Sequence, residues 1–314
     1  MDSKHRKHII YIILSIIAMI ECVITLLINV TDRTLKAKPS TAFANSLTAS
    51  IWLLSAISLV SNVIFETASN MIESVWPCIA LAICVRYLHI VTCFNFTSLA
   101  FDRYLAICQP LHYSRLLTRA RCHLLCLACW VAPCLFLILP CGSELPTLCS
   151  KGRSISLTFL VAYTVIYTLV TLATIVLYSL VALEFRRESL GHAQDKERTE
   201  RLLRKRTAAS ALKVLMLYIC LGLPHTVYPL LMKLIKQEDK KVEDLLNEIF
   251  YYINRIQLLF FLPVYAWANT SFHHALNARA RRLVMWVAAL LADLCCDRRR
   301  NRIQSEESTQ TESM

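Results

Sequence analysis

The sequence predicts an all-α membrane protein, built as a seven-transmembrane helix bundle with a C-terminal interfacial helix. Three observations lead to this prediction. Hydrophobic residues make up 56% of the 314 residues, with a mean hydropathy of +0.49, which is more apolar than an ordinary soluble domain at about half. Seven long apolar segments follow one another along the chain, and positive charges concentrate in alternate loops between them.

A membrane-spanning helix needs roughly 20 mostly apolar residues, and seven segments meet this requirement. They are residues 9–31, 42–65, 75–108, 122–141, 155–184, 208–235 and 246–268. The short segment 1–8 is basic, and the apolar run behind it is longer than the core of a signal peptide, about 7–15 residues. We therefore expect the first helix to stay in the protein as an anchor.

The distribution of lysine and arginine predicts how the bundle is oriented in the membrane. Fourteen of these residues lie in the loops 32–41, 109–121 and 185–207, against six in the segments of the opposite face. The positive-inside rule places the more basic face in the cytoplasm. We expect a multi-pass protein of the plasma membrane with an extracellular N-terminus, although the basic residues of segment 1–8 run against this orientation. Membrane topology thus accounts for the net charge of +12 without a nucleic-acid partner.

The chain after the last span has two predicted parts. Residues 269–296 contain the apolar stretch "LVMWVAALLADLCC", which is short for a span and favours a helix lying in the membrane interface. Cys295 and Cys296 at its end are candidate palmitoylation sites, and two unmodified cysteines are an equal alternative. Residues 297–314 are polar and predict a disordered cytoplasmic tail.

The sequence lacks the patterns that would indicate an enzyme or a metal protein. Most of the fourteen cysteines lie inside apolar runs, where thiols usually pack as small hydrophobic groups. No zinc-ligand spacing, glycine-rich phosphate loop or nucleophile elbow is present. We therefore predict no catalytic residue, no cofactor and no metal.

The stretch "FDRYLAICQPLHY", residues 101–113, places an acid and a base together at the inner end of the third span. It resembles the end of the third helix and the second inner loop of class A (rhodopsin-like) G-protein-coupled receptors, and "DRYLAICxPLxY" is the form typical of odorant receptors. The stretch "FANSLTASIWLLSAI" after "KAKP" is most similar to the fish odorant-receptor branch labelled 131-2-like.

The resemblance implies roles for several residues. Asp102, Arg103 and Tyr104 would form the switch that meets the G protein. Cys78, 25 residues before Arg103, would form a disulfide with a cysteine of the second outer loop, and we favour Cys149 over Cys141. The implied partners are a small-molecule odorant, a heterotrimeric G protein and the lipid bilayer.

The chain also departs from the family pattern. Ser50 stands where a sodium-binding aspartate is usual, and "LPVYA" replaces Asn-Pro-x-x-Tyr, so that Leu262 and Ala266 replace the asparagine and the tyrosine and Tyr265 comes one residue early. Gly222 stands on the sixth span where many relatives have an aromatic residue. The sodium-linked part of the activation network is therefore expected to be altered.

Two arginines lie within the outer half of the predicted bundle. The resemblance places Arg86, on the third span, and Arg255, on the seventh, at the ligand cavity. With them it places Tyr87, His89, Ile90, His225, Tyr228, Tyr251 and Tyr252. Arginine forms bidentate charge-assisted hydrogen bonds with anionic groups, so these residues favour a ligand carrying a carboxylate, sulfate or phosphate. The alternative for Arg255 is a structural ion pair with Glu21.

The sequence thus predicts an odorant-type G-protein-coupled receptor. The rival hypotheses are a receptor for a non-odorant ligand, a membrane transporter and a membrane enzyme. A transporter would need polar residues along several helices or an inverted repeat of broken helices, and the sequence shows neither.

Overall fold

The computed structural model describes residues 3–67, 75–135, 157–189, 240–260 and 271–282. It also describes the positions 222, 227, 228, 230, 231, 263, 265, 269, 284–286, 288 and 289. In this part of the chain all regular elements are helices. They are α1 (Ser3–Thr31), α2 (Arg33–Ala37), α3 (Thr41–Thr67), α4 (Val75–Cys108), α5 (Pro110–Leu116), α6 (Arg119–Pro133), α7 (Leu157–Ser189) and α8 (Lys240–Leu259).

Four described helices are long and apolar enough to cross a membrane. Their spanning parts are Ile9–Thr31, Thr41–Ile64, Ile83–Cys108 and Leu157–Glu184, which agree with the first, second, third and fifth predicted spans. A helix suits this environment because it satisfies its backbone hydrogen bonds internally. The predicted fourth span is described as far as residue 135, the sixth only at scattered positions, and the seventh begins inside α8.

Polar side chains position the short helices between the spans. Asp32 begins α2, and its carboxylate accepts hydrogen bonds from the backbone N–H groups of Thr34 and Leu35 at 2.9 and 3.2 Å. Pro110 is the first residue of α5, a position that does not use a backbone N–H group. Thr118 caps α6 by accepting from the N–H of Arg121. These caps set where the chain turns back toward the membrane.

The described helices pack around α4. Helix α1 contacts α3 and α8, α3 contacts α4 and α6, and α4 also contacts α6 and α7. Hydrogen bonds join several pairs, including Asn29 Nδ2 to Asn45 Oδ1 at 2.9 Å and the hydroxyls of Thr97 and Thr174 at 2.6 Å. Such polar contacts hold helices together where the hydrophobic effect cannot, because the surrounding lipid is itself apolar.

The helices at the edge of this arrangement expose apolar side chains. On α1 and α7 the exposed residues include Ile13, Ile20, Leu27, Leu169, Leu172 and Val176. A soluble protein rarely presents apolar faces of this length to water. The pattern agrees with helices that face lipid.

The chain divides into two compact units, Met1–Asn269 and Thr270–Met314. In the second unit residues 271–282 are helical, as are 284–286, 288 and 289. Val284, Met285 and Trp286 are exposed, which is the kind of apolar surface that an interfacial helix places against the membrane. The predicted boundaries of this helix at 269 and 296, and of the tail beyond it, stay predictions.

Candidate functional site

The C-terminal end of α4, which the predicted orientation makes the inner end, carries a compact charged site. Asp102 is buried, with 1% of its surface exposed, while the Arg103 side chain is 28% exposed. Arg103 Nε lies 3.4 Å from Asp102 Oδ2, and the hydroxyl of Tyr113 donates to Asp102 Oδ1 at 2.9 Å. A buried carboxylate is costly unless it is paired and hydrogen bonded, and these two neighbours give Asp102 both kinds of contact.

Tyr113 lies on α5, the short inner helix that follows α4. Burial and the neighbouring Asp102 carboxylate raise the pKa of Tyr113 above its usual range. The phenol therefore keeps its proton around neutral pH and remains a hydrogen-bond donor to the carboxylate. This geometry couples the position of α5 to the charged pair at the end of α4.

Tyrosines from two other parts of the bundle surround Arg103. Tyr178 of α7 and Tyr265 of the predicted seventh span both lie near enough to interact electrostatically with its guanidinium. The hydroxyl of Tyr265 accepts a hydrogen bond from Asn269 Nδ2 at 3.2 Å. Although it comes one residue early in the altered motif, Tyr265 thus reaches the site of the charged pair.

An apolar cluster includes Leu105 of α4, which lies close in sequence to the charged pair. Phe43, Leu105, Leu117 and Cys122 are buried together, and the third predicted switch residue, Tyr104, packs against them. Tyr104 therefore lies in a packing contact, whereas Asp102 and Arg103 form the polar contacts. The cluster joins α3, α4 and α6 with the turn before α6.

The outer part of α4 carries the second site. Arg86 is half-buried, and its guanidinium carbon lies over the Tyr163 ring of α7, 6.0 Å from the ring centroid. The Tyr163 ring lies 6.2 Å from that of Tyr167 on the same helix, and both tyrosines are buried. A cation over an aromatic ring is attracted by the electron density of the ring face. Arg86 is thus held between α4 and α7.

The other predicted ligand residues on α4 have different surroundings. Tyr87 donates to the backbone carbonyl of Trp130 on α6 at 2.7 Å, so its hydroxyl is not brought to the Arg86–Tyr163 contact. His89 Nδ1 lies 2.9 Å from the carbonyl of Val85 within α4. Ile90 is fully buried. The geometry thus places Arg86, and not the Tyr87 hydroxyl, at the Tyr163 ring of α7.

Two further predicted ligand residues form aromatic pairs. Tyr228 stacks on Phe250 with ring centroids 4.4 Å apart, and Tyr252 lies 4.8 Å from Tyr11 of α1. These contacts connect α8 with the predicted sixth span and with the first helix.

Several predicted site residues lie outside what the structure describes. His225, Cys149, Cys295 and Cys296 lie outside the described residues, as do Leu262 and Ala266. For Tyr251, Arg255 and Cys78 only the helical backbone is described. The disulfide, the palmitoylation and the role of Arg255 therefore stay predictions. So does the alternative that Arg255 pairs with Glu21.

The position of the expected sodium aspartate carries a neutral contact. Thr92 Oγ1 donates to Ser50 Oγ at 3.1 Å, and Ser50 Oγ itself donates to the carbonyl of Leu47. Both side chains are buried. No group of metal-binding side chains occurs in the described part of the chain.

Sequence reasoning missed four tyrosines of these sites: Tyr113, Tyr163, Tyr167 and Tyr178. Tyr113 ends the quoted motif, so its distance of eleven residues from Asp102 was a usable signal. The spacing of Tyr163 and Tyr167, one helical turn apart, was a weaker signal. Nothing in the local sequence shows which face of α7 meets α4.

Comparisons with known proteins agree with this architecture. Residues 21–260 match the family described as "7 transmembrane receptor (rhodopsin family)". Human olfactory receptor 10G2 is 30% identical over 124 residues, which cover 40% of this chain and 40% of that receptor. Human olfactory receptor 11G2 is 38% identical over 21% of this chain and 26% of that receptor. Human olfactory receptor 1J1 is 49% identical over 41 residues, 13% of each chain.

The matched stretches thus span less than half the length of these curated relatives. The family match itself covers most of the chain, and it confirms the predicted fold class and the class A resemblance. It also agrees with the prediction that the protein is not an enzyme, because this is a family of receptors. The likeness to the fish 131-2-like branch stays a prediction. From the family match and the helical architecture together, this chain belongs to the rhodopsin family of seven-transmembrane receptors.

Proposed function

We propose that this receptor binds a small odorant molecule between its helices and activates a heterotrimeric G protein. The olfactory receptors among its relatives support the odorant class. The paired Asp102 and Arg103 at the inner end of α4 support coupling to a G protein, since an ion pair that can exchange partners is suited to a two-state switch. The plasma membrane, with the N-terminus outside, is the location that this role requires.

The observation that carries the ligand class is the position of Arg86. Its guanidinium carbon lies over the Tyr163 ring, 6.0 Å from the ring centroid, in the predicted outer half of the bundle. Hydrogen bonds to a carboxylate use the N–H groups of the guanidinium. A ligand with an anionic head and an apolar body fits this combination of a cation and buried aromatic rings.

An agonist screen with matched chemical pairs tests this proposal. Cells that express the receptor with an olfactory-type G protein receive straight-chain carboxylic acids and the primary alcohols of the same length, and cyclic AMP is measured. We expect at least one acid to act at a lower concentration than its alcohol. Alcohols that match or exceed their acids would contradict the anionic class while leaving the receptor role in place.

Two controls separate the receptor role from its rivals. An N-terminal epitope should be stained by antibody on unpermeabilised cells, which tests the orientation. Ion flux through purified protein in liposomes without any ligand would instead favour the transporter.

We further propose that Cys78 and Cys149 form the outer disulfide. Mass spectrometry of a non-reduced digest should find their peptides joined. A bridge from Cys78 to Cys141 would contradict this pairing.

A further inference from the structure

The predicted sixth span meets two polar side chains at its buried glycine. A Cβ atom on Gly222 would lie 2.5 Å from the Tyr167 hydroxyl and 3.1 Å from Gln257 Nε2. Real Cβ atoms essentially never approach another heavy atom to within 3.0 Å. The hydrogen atom that glycine carries in place of a side chain thus leaves a space, here called the Gly222 notch, which Tyr167 and Gln257 fill.

The tyrosine in this notch has little freedom to withdraw. Only 1% of Tyr167 is exposed, and its ring lies 6.2 Å from that of Tyr163. A tyrosine side chain has a rigid ring, so its hydroxyl can leave the notch only if the ring or the helix moves. The close approach therefore constrains how Gly222 lies against Tyr167 of α7 and Gln257 of α8.

The notch also lies at the end of a run of contacts that begins at Arg86. The guanidinium of Arg86 lies over Tyr163, Tyr163 adjoins Tyr167, and Tyr167 enters the notch beside Gln257. These residues belong to α4, α7, the predicted sixth span and α8. A ligand that moves Arg86 or Tyr163 would therefore act, through Tyr167, on the contact at Gly222.

We propose that Tyr167 is a positioning residue whose hydroxyl, seated in the Gly222 notch beside Gln257, holds the sixth span in the resting arrangement. Small residues permit close helix contacts in membranes, and filling the notch forces the helices apart. A side chain at position 222 would therefore shift the equilibrium toward the signalling state. This inference rests on the proposed signalling function for its main readout.

A double-mutant cycle tests the notch without any ligand. Gly222→Ala introduces the clashing Cβ atom, and Tyr167→Phe removes the one atom that lies 2.5 Å from it. We expect Gly222→Ala to raise basal cyclic AMP by about fivefold or more at equal surface amount, the lower range of an allosteric coupling. Adding Tyr167→Phe to Gly222→Ala should return it toward the wild-type level. A basal signal that is unchanged or lower in Gly222→Ala would overturn the proposal.

Thr168→Val is the matched control, because it removes a hydroxyl from the next residue of α7 that is not among the three heavy atoms nearest to the added Cβ atom. Combined with Gly222→Ala, it should give no rescue, and rescue as complete as with Tyr167→Phe would overturn the role of the specific contact. If Gly222→Ala reaches the surface poorly, surface amount becomes the readout. Tyr167→Phe should then restore delivery, and failure to restore it would also overturn the proposal.

The melting temperatures of the same purified variants separate this inference from the proposed function. A receptor that answers no agonist, and whose variants all signal equally, would refute the proposed function. In that case Gly222→Ala should still lower the melting temperature and Tyr167→Phe should still recover it if the notch contact is real. Additive melting shifts would overturn the contact. If the receptor responds to agonist and the basal signal of Gly222→Ala is unchanged, the proposed role of the Gly222 notch is overturned and the proposed function is not.

Discussion

Each half of α4 carries an arginine, and the two charges have different surroundings. Arg103, near the inner end, lies 3.4 Å from the carboxylate of Asp102, its neighbour in sequence. Arg86, 17 residues earlier and thus about 25 Å away along the helix, lies over the ring of Tyr163. The inner arginine contacts an opposite charge, whereas the ring that the outer one contacts carries no net charge.

This difference indicates what each end can do. The partners of an ion pair within the protein can separate and bind other groups when the helices move, which suits a switch. A cation over an aromatic ring is attracted by the ring, and its N–H groups are of the kind that bind an anionic ligand. The same type of residue thus supports signalling near the inner end of α4 and ligand recognition in its outer half.

Replacing Arg103 should have the largest effect on signalling of the substitutions at the two arginines. We expect Arg103→Ala to abolish agonist-driven cyclic AMP production, because the residue proposed to exchange its contact with Asp102 for the G protein is gone. Surface delivery should stay largely intact, as measured by an N-terminal epitope.

Arg115→Ala is the matched control for this loss, since it removes an exposed arginine of the neighbouring helix α5 and should keep most of the response. Wild-type signalling from a well-delivered Arg103→Ala variant would refute the switch.

Replacing Arg86 should have a smaller and more selective effect. Arg86→Gln removes a charged hydrogen-bonding group worth about 1.5–3 kcal/mol, so the potency of carboxylate agonists should fall by roughly ten- to hundredfold. Arg86→Lys should recover only part of this loss, because lysine lacks the flat bidentate group. Dose-response curves for each acid and its alcohol provide the measurement.

Cys84→Ser is the control for Arg86, because it alters an exposed side chain of the same helix only two residues away. Its curves should match the wild type. If Arg86→Gln shifts acids and alcohols equally, the residue has a structural role and does not select the anion.

The inner site was far more predictable from the sequence than the outer one. Asp102, Arg103 and Tyr113 lie within one continuous motif, so local sequence brings them together. The contact of Arg86 with Tyr163 joins residues that are 77 positions apart, and it depends on the rotation of α7 against α4. Apolar length alone does not fix that rotation, because a span that is hydrophobic on all faces has no marked inner side.

The altered motif of the seventh span also shows that contacts between distant residues are hard to predict from the local sequence. From the sequence, Ser50 and the motif "LPVYA" predicted that the sodium-linked part of the activation network is altered. In the structure Tyr265 lies near Arg103 and accepts a hydrogen bond from Asn269. The effect of this departure stays a prediction, and the surroundings of Tyr265 depend on residues far from it in the sequence, such as Arg103.

Removing the hydroxyl of Tyr113 should have the smallest effect on signalling and tests whether this residue holds Asp102 in the resting state. Tyr113→Phe deletes the 2.9 Å hydrogen bond to Asp102, worth about 1 kcal/mol for a half-buried pair. The carboxylate is then held less firmly in the resting state. Basal cyclic AMP should rise by about fivefold, whereas His112→Ala, on the exposed neighbour in α5, should not change it.

Because the pKa of Tyr113 is raised, the phenol stays protonated. The ratio of basal cyclic AMP in Tyr113→Phe to that in the wild type should therefore be constant between about pH 6 and pH 8. A ratio that changes across this range would mean that another group near Asp102 titrates, and an unchanged basal signal would remove Tyr113 from the switch.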